Sequence, residues 1–315
     1  MILVTGAHGL VGRSLQELLG YNYVDKYMDY YFLTSTECDL RNTTETDLLF
    51  KRIRPHTVVH LAAKVGGVYD NINNNYEFLN ENISINMNVV NCCKKYRVKK
   101  LINILSTCIF PDKNIKYPLT SDQLHNGLPH NSNIGYAFSK RLLQVASSLL
   151  SETHVINLIP TNLYGKFDNY NLESSHVIPA LVHKVYLSKY IGKQLILNGS
   201  GSARRQFLYV DDLSRVILHF IYESIEPVNL SIIVAPPQSQ ECSIKDVLDT
   251  IKYEFNWVGT VIYDSTYSDG QLVKTVDSSE INIYIPDFRF TDLKRGLSQV
   301  ISFFHNNYNT DVIRK

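Results

Sequence analysis

MILVTGAHGLVG, residues 1–12, begins with a short apolar run, turns at a glycine and enters a segment of helical period. Glycines stand at 6, 9 and 12. Gly6 permits a tight turn, Gly9 lets a pyrophosphate approach the backbone, and Gly12 lets a helix pack closely on a strand. The helix N-terminus then faces the anion, because its first N–H groups have no partner within the helix. Strand, glycine turn and helix in this order predict a dinucleotide-binding unit, with Ala7, His8, Leu10 and Val11 completing the run against the cofactor.

The same alternation continues downstream. ILVT (2–5), YFLT (31–34), VVHLAA (58–63), LINILS (101–106) and VINLIP (155–160) read as strands. Between them, LVGRSLQELL, ETDLLFKRI, NYEFLNENISINMNVVNCCKKY and YAFSKRLLQVASSLL repeat apolar residues at helical spacing. The pattern predicts an α/β protein with a Rossmann-type, doubly wound parallel sheet. After about residue 165 the alternation breaks up, with GSGS at 199–202 and prolines at 227, 236 and 237. Residues 1–165 are therefore expected to form the dinucleotide-binding domain. Residues 166–315 are expected to form mainly a smaller, mixed substrate-binding lobe, with some segments returning to the sheet.

Bulk composition narrows the function. With 44% hydrophobic residues in 315, a sizeable core can be buried. Lys and Arg number 31 against 30 Asp and Glu, so bulk charge holds neither nucleic acid nor a membrane surface. The five cysteines are odd in number and lack a C-x-x-C pair, which argues against a disulfide framework or a metal site. No apolar run approaches the about 20 residues of a membrane span, and the first residues already form a strand. These features lead us to expect a soluble, cytoplasmic protein.

Ligands of such sheets sit beyond the carboxyl ends of the strands, and chemistry-bearing residues collect there. The second strand ends in Thr34 and Ser35, with no carboxylate before Glu37. Hydroxyls suit a 2′-phosphate, which points to NADP(H). Asp39 and Leu40 would face adenine, and Leu61, Ala62 and Ala63 the ribose and nicotinamide. Tyr136 and Lys140 lie four apart, on one helix face. A neighbouring ammonium favours the phenolate and makes Tyr136 a proton donor to a carbonyl that accepts hydride.

Tyr96 and Lys100 share that spacing, but they end a basic helix on the side of the sheet away from the ligand. Ser106 supplies a hydroxyl at the end of the fourth strand, and Cys108 follows it. A thiol, with a reference pKa of about 8.5, can act as a base toward a proton α to a ketone. Such a base needs an acid on the opposite face. His176 alone is weak evidence for one. Arg204 and Arg205, after the glycine-serine loop, suit a second phosphate group. SDGQLVK (268–274) adds Asp269 and Lys274.

Taken together, TGAHGLVG, HLAAKVGG, STCIFP, GYAFSK, PTNLYG with FDNYN, SHVIPAL, RRQF and SDG resemble the GDP-L-fucose synthases, within the extended short-chain dehydrogenase/reductases. The likeness runs along essentially the whole chain. It implies a substrate, GDP-4-keto-6-deoxy-D-mannose, whose C4 ketone acidifies C3 and C5. By this resemblance Cys108 is the base and His176 the acid, Ser106, Tyr136 and Lys140 polarise the ketone, and NADPH reduces it.

The resemblance also sets Pro160, Asn162, Leu163 and His176 against the nicotinamide, and Lys184, Arg205 and Asp269 around the GDP. Asn198 stands where family members carry a substrate-stacking Trp, and His8 replaces a residue that is basic in some relatives. These departures bear on nucleotide affinity and leave the chemistry intact. Two long helices, 77–96 and 134–150, are expected to pair with a symmetry mate in a homodimer, as in relatives. An NAD-retaining nucleotide-sugar 4-epimerase or dehydratase would call for an acidic residue after the second strand and has no use for Cys108 with His176. A non-catalytic dinucleotide sensor would not need the Tyr136–Lys140 pair.

Overall fold

The structure is a computed structural model and describes residues 1–22, 29–223, 229–267 and 269–315. Pro227 and Ser268 lie outside the described residues. Strands β1 (Ile2–Thr5), β2 (Tyr30–Leu33), β3 (Thr57–His60), β4 (Lys100–Ile104) and β5 (His154–Pro160) alternate with α1 (Leu10–Asn22), α2 (Thr43–Ile53), α3 (Val68–Asn73), α4 (Asn75–Lys95) and α5 (Ile134–Ser148). In the second half come β6 (Asn162–Tyr164), α6 (Val177–Ile191), β7 (Leu195–Asn198), β8 (Arg204–Arg205), β9 (Phe207–Tyr209), α7 (Val210–Tyr222) and β10 (Asn229–Val234). The chain closes with β11 (Cys242–Ser243), α8 (Ile244–Glu254), β12 (Val261–Asp264), α9 (Ile281–Tyr284) and α10 (Leu293–Asn307).

The main sheet has the order β10-β5-β4-β3-β1-β2, and all its pairs are parallel. Strand residues are buried on alternate faces. Leu3, Val58, Leu101 and Val155 enter one core under α2, α4 and α5, while Ile2, Val4, Val59, Ile102 and Ile156 enter another under α1 and α7. Strand order reverses between β1 and β3, which opens a crevice at their carboxyl ends.

The strands end earlier than the apolar runs do. VVHLAA stops as a strand at His60 because the Leu61 and Ala62 N–H groups turn to the Thr5 hydroxyl, each at 3.1 Å. LINILS stops at Ile104 because Ser106 caps a single 3₁₀ turn over Thr107–Ile109.

A third core, built from α6, α8 and α10 with Tyr164 and Tyr170, forms the smaller lobe. Three two-stranded pairs ornament it, β6 with β9 and β7 with β12 parallel, β8 with β11 antiparallel. Helix α7 and strand β10 return to the sheet, so the second half serves both bodies.

Candidate active site

A single cleft of about 1140 Å³ runs along the carboxyl ends of the strands and under the smaller lobe. The turn 6–12, Thr34, Ser35, Asp39, Leu40 and residues 61–63 line one end. Ser106, Cys108, Tyr136, Lys140, Pro160, Asn162, Leu163 and His176 line the middle, and Lys184, Asn198, Arg205 and Asp269 the far end.

At the first end the glycine turn is closely packed. Gly6 has φ +72°, and a Cβ on Gly12 would sit 2.6 Å from the Gly6 and Ala7 carbonyl oxygens. The Gln16 amide donates to those of Ala7 and Gly12 at 2.8 and 3.1 Å. Below it, Thr5, His60 and Asn86 form a buried chain. The Thr5 oxygen accepts two backbone N–H groups, so its proton goes to His60 Nδ1 at 3.0 Å; Nε2 then carries the ring proton toward Asn86 Oδ1, also 3.0 Å away. Burial holds His60 neutral, with its pKa down at about 3.

Glu37 is folded onto the Thr34 N–H and hydroxyl at 2.9 and 2.7 Å and lies outside the cleft lining. Those bonds keep its carboxyl below the usual range. The sequence places no arginine in the loop itself. Arg41, past its end, nevertheless lines the cleft, paired with Asp39 at 2.9 Å and Glu81 at 2.8 Å.

Lys140 is buried, and its ammonium donates to the Ile104 carbonyl at 2.7 Å. Burial pushes its pKa down to about 8. The expectation that Lys140 lowers the Tyr136 pKa needs correcting. Burial, reinforced by the neighbouring Cys108, drives the Tyr136 phenol well above its ordinary value. The alternative pair is dispersed: Tyr96 bonds Asp47 at 2.9 Å, and Lys100 caps the carboxyl end of α7 through three carbonyls.

Cys108 is buried, and its N–H donates to Ser106 Oγ at 3.3 Å. Burial raises the thiol pKa, while Lys274, Ser106 and Lys140 oppose the rise. Lys274 lines the same cleft, with its own pKa brought down by burial to about 8.

At the far end, Lys184 donates to the Ile196 carbonyl at 3.0 Å and to Asn198 Oδ1 at 3.2 Å. Of the two arginines, only Arg205 lines the cleft. Arg204 is exposed and pairs with Glu241 at 3.3 Å, so the expected double clamp is single. Both Asp269 oxygens are taken by Ser200, through its N–H at 2.7 Å and its hydroxyl at 2.6 Å. That carboxylate ties the glycine-serine loop to the segment that begins at Asp269.

A model of the NAD dependent epimerase/dehydratase family matches residues 2–232. The chain belongs to this family. It is 39% identical to a GDP-L-fucose synthase of Dictyostelium discoideum, over 98% of this chain and 96% of that protein. A probable GDP-L-fucose synthase of Drosophila melanogaster is 37% identical over 98% of each chain. Among solved structures, a GDP-L-fucose synthetase of Naegleria fowleri bound to NADP superposes with a TM-score of 0.90 at 35% identity, covering all of this chain and 94% of that one.

In this member of the NAD dependent epimerase/dehydratase family, several polar groups of the cleft were passed over in the sequence. Asn133 Oδ1, Thr161 Oγ1, Asp168 Oδ2 and Ser175 Oγ are buried without a hydrogen-bond partner, and all four residues line the cleft. Unpaired buried polar atoms are uncommon and call for a ligand or a functional role. Three of them lie inside motifs quoted above, Thr161 in PTNLYG, Asp168 in FDNYN and Ser175 in SHVIPAL, and Asn133 stands shortly before GYAFSK.

Proposed function

We propose that this protein converts GDP-4-keto-6-deoxy-D-mannose to GDP-L-fucose, epimerising C3 and C5 and reducing C4 with NADPH. The observation that carries the proposal is one cleft lined by a thiol and an imidazole, Cys108 and His176, together with Ser106, Tyr136 and Lys140. A simple reductase needs only the last three. The likeness to GDP-L-fucose synthases over nearly the full chain supports the same reading.

The residues present fit the dinucleotide. The glycine turn leaves its backbone open to a pyrophosphate, Thr34 and Ser35 offer hydroxyls to a 2′-phosphate, and Glu37 is turned away from the site. Bound NADPH supplies the hydride to C4. Cys108, as thiolate, takes the proton from the acidified carbon, and His176 returns one from the other side, so each centre inverts with no net change in protons. Ser106 and Tyr136 donate hydrogen bonds to the C4 oxygen as negative charge develops there, and Tyr136 gives that oxygen its proton during reduction. Lys140 places a positive charge beside this exchange. Lys184 and Arg205 hold the diphosphate, and Asp269 shapes the loop that covers it.

We also read the protein as a homodimer. Phe138, Leu142, Val145 and Leu149 form an exposed apolar stripe along α5, with Leu149 77% exposed, and Tyr76 on the adjacent α4 is 72% exposed. Such a stripe on paired helices suits a four-helix contact with a second copy. No described helix is long and apolar enough to cross a membrane. The five cysteines are free thiols, which supports a cytoplasmic location.

The assay is direct. Purified protein given GDP-4-keto-6-deoxy-D-mannose should oxidise NADPH and yield GDP-L-fucose, identified by its proton spectrum. Substrate that leaves NADPH unoxidised overturns the proposal.

A further inference from the structure

Asp168 is 5% exposed, and its two carboxylate oxygens differ sharply. Oδ1 accepts the Asn169 N–H at 2.7 Å, whereas Oδ2 has no hydrogen-bond partner and its residue lines the cleft. A buried carboxylate with one oxygen unsatisfied is costly and calls for a reason. Burial raises its pKa, and the charges of His176 and Arg314 oppose the rise. Arg314 is committed elsewhere, with Nη2 on the Phe167 carbonyl at 2.6 Å, and among the described residues no ion pair within 4.0 Å joins it to Asp168.

The loop from Gly165 to His176 folds back on itself. The Asn169 amide donates to Ser174 Oγ at 2.9 Å, and Asn171 Oδ1 accepts the N–H groups of Glu173 and Ser174 at 2.9 and 3.2 Å. The Ser174 carbonyl is tied to the Gly67 N–H at 3.1 Å. Asp168 and His176 thus belong to one loop that is bonded to itself and to Gly67. His176 is the N-cap of α6, is exposed, and makes no side-chain capping bond. A cationic ring there meets the positive end of the helix dipole, and nothing in its own helix's first turn is acidic.

We propose that Asp168 is the positioning residue of His176: the two make no hydrogen bond in this structure, and when the exposed, uncapped ring turns toward the free Oδ2, that oxygen accepts one ring N–H, fixes which nitrogen faces the sugar, and offsets the helix dipole when the ring is charged. The division of labour is that of a carboxylate holding a histidine in its working tautomer. The inference rests on the proposed function only for the identity of the proton acceptor.

The test compares wild type with Asp168→Asn, which keeps the acceptor for the Asn169 N–H and replaces the free oxygen by a donor. Two-bond ¹H–¹⁵N spectra of ¹⁵N-histidine protein at alkaline pH, with and without NADP⁺ and GDP, report the tautomer of His176; its signal is assigned by its loss in His176→Gln. Wild type should show one dominant tautomer and Asp168→Asn a mixture. With substrate in deuterated water, kcat for epimerisation should fall on the order of tenfold to a hundredfold, below the full contribution of a general acid, with KM unchanged. Adding Asp168→Asn to His176→Gln should cost nothing further.

The melting temperature should hold or rise, since a buried charge is removed. An unchanged tautomer, or losses that multiply in the double variant, overturns the inference. So does a lower melting temperature with an unchanged His176 signal, which would assign Asp168 to loop architecture. Failure of the proposed function looks different: wild type itself would then take up no deuterium, while the tautomer comparison still stands.

Discussion

The ammonium of Lys140 lies 5.8 Å from the centre of the Tyr136 ring, one helical turn away, yet its hydrogen bond goes to the Ile104 carbonyl. The two side chains therefore share a helix face without a direct hydrogen bond. Since burial brings the Lys140 pKa to about 8, its positive charge is present below that pH and lost above it. Reduction should decline as pH rises through about 8, and Lys140→Arg should carry the plateau further. Tyr136→Phe should lower kcat for reduction by about 10²–10⁴ while NADPH binding, read by fluorescence, stays near wild type.

Cys108 sits under opposing influences, burial raising its pKa and Lys274 lowering it. Thiolate is scarce at neutral pH, so deuterium uptake into substrate should rise with pH through the neutral range. Lys274→Met removes the cation that most opposes the rise and should slow uptake at pH 7. Because Lys274 itself loses its charge near pH 8, variant and wild type should converge above that value. A constant ratio at all pH values would mean that Lys274 acts by shape instead.

His60 couples the fold to acid. Its pKa is about 3 in the folded chain and about 6.5 in the unfolded one, so between these values the unfolded state binds the extra proton. Stability should fall as pH drops through that window, by at most about 1.4 kcal/mol per unit from this group. Urea unfolding of His60→Gln across the same range should give a shallower acid slope, from a lower starting stability. Equal slopes would assign the acid sensitivity to other groups.

Leu142 lies mid-way along the exposed stripe of α5. Leu142→Arg should turn a dimer into a monomer by light scattering at micromolar concentration, with the melting temperature of the separated chain little changed. A wild-type chain that is monomeric under the same conditions removes the homodimer.

Local pattern carried much of this architecture. The glycine turn at 6–12 and the five apolar runs before residue 165 announce the sheet, because a strand buried on both faces must be apolar throughout. Strand β10 was less visible, since NLSIIV follows a segment without the earlier alternation and pairs with β5 across a large sequence separation. That the candidate residues fall at strand ends and line one cleft was readable because their position follows from the fold. What a side chain bonds to was not: Arg204 turns to Glu241, Asp269 to Ser200, and Asp168 keeps one oxygen free, all decided by long-range packing. The Tyr136 pKa is likewise set by packing, through burial of the phenol and the neighbouring Cys108.

The most direct test gives wild type and Cys108→Ser the same substrate, GDP-4-keto-6-deoxy-D-mannose, with NADPH in deuterated water, and reads the product by NMR. The account predicts GDP-L-fucose with deuterium at C3 and C5 from wild type, and from the variant a product without exchange, reduced to the unepimerised 6-deoxy sugar. Normal epimerisation by Cys108→Ser would contradict it.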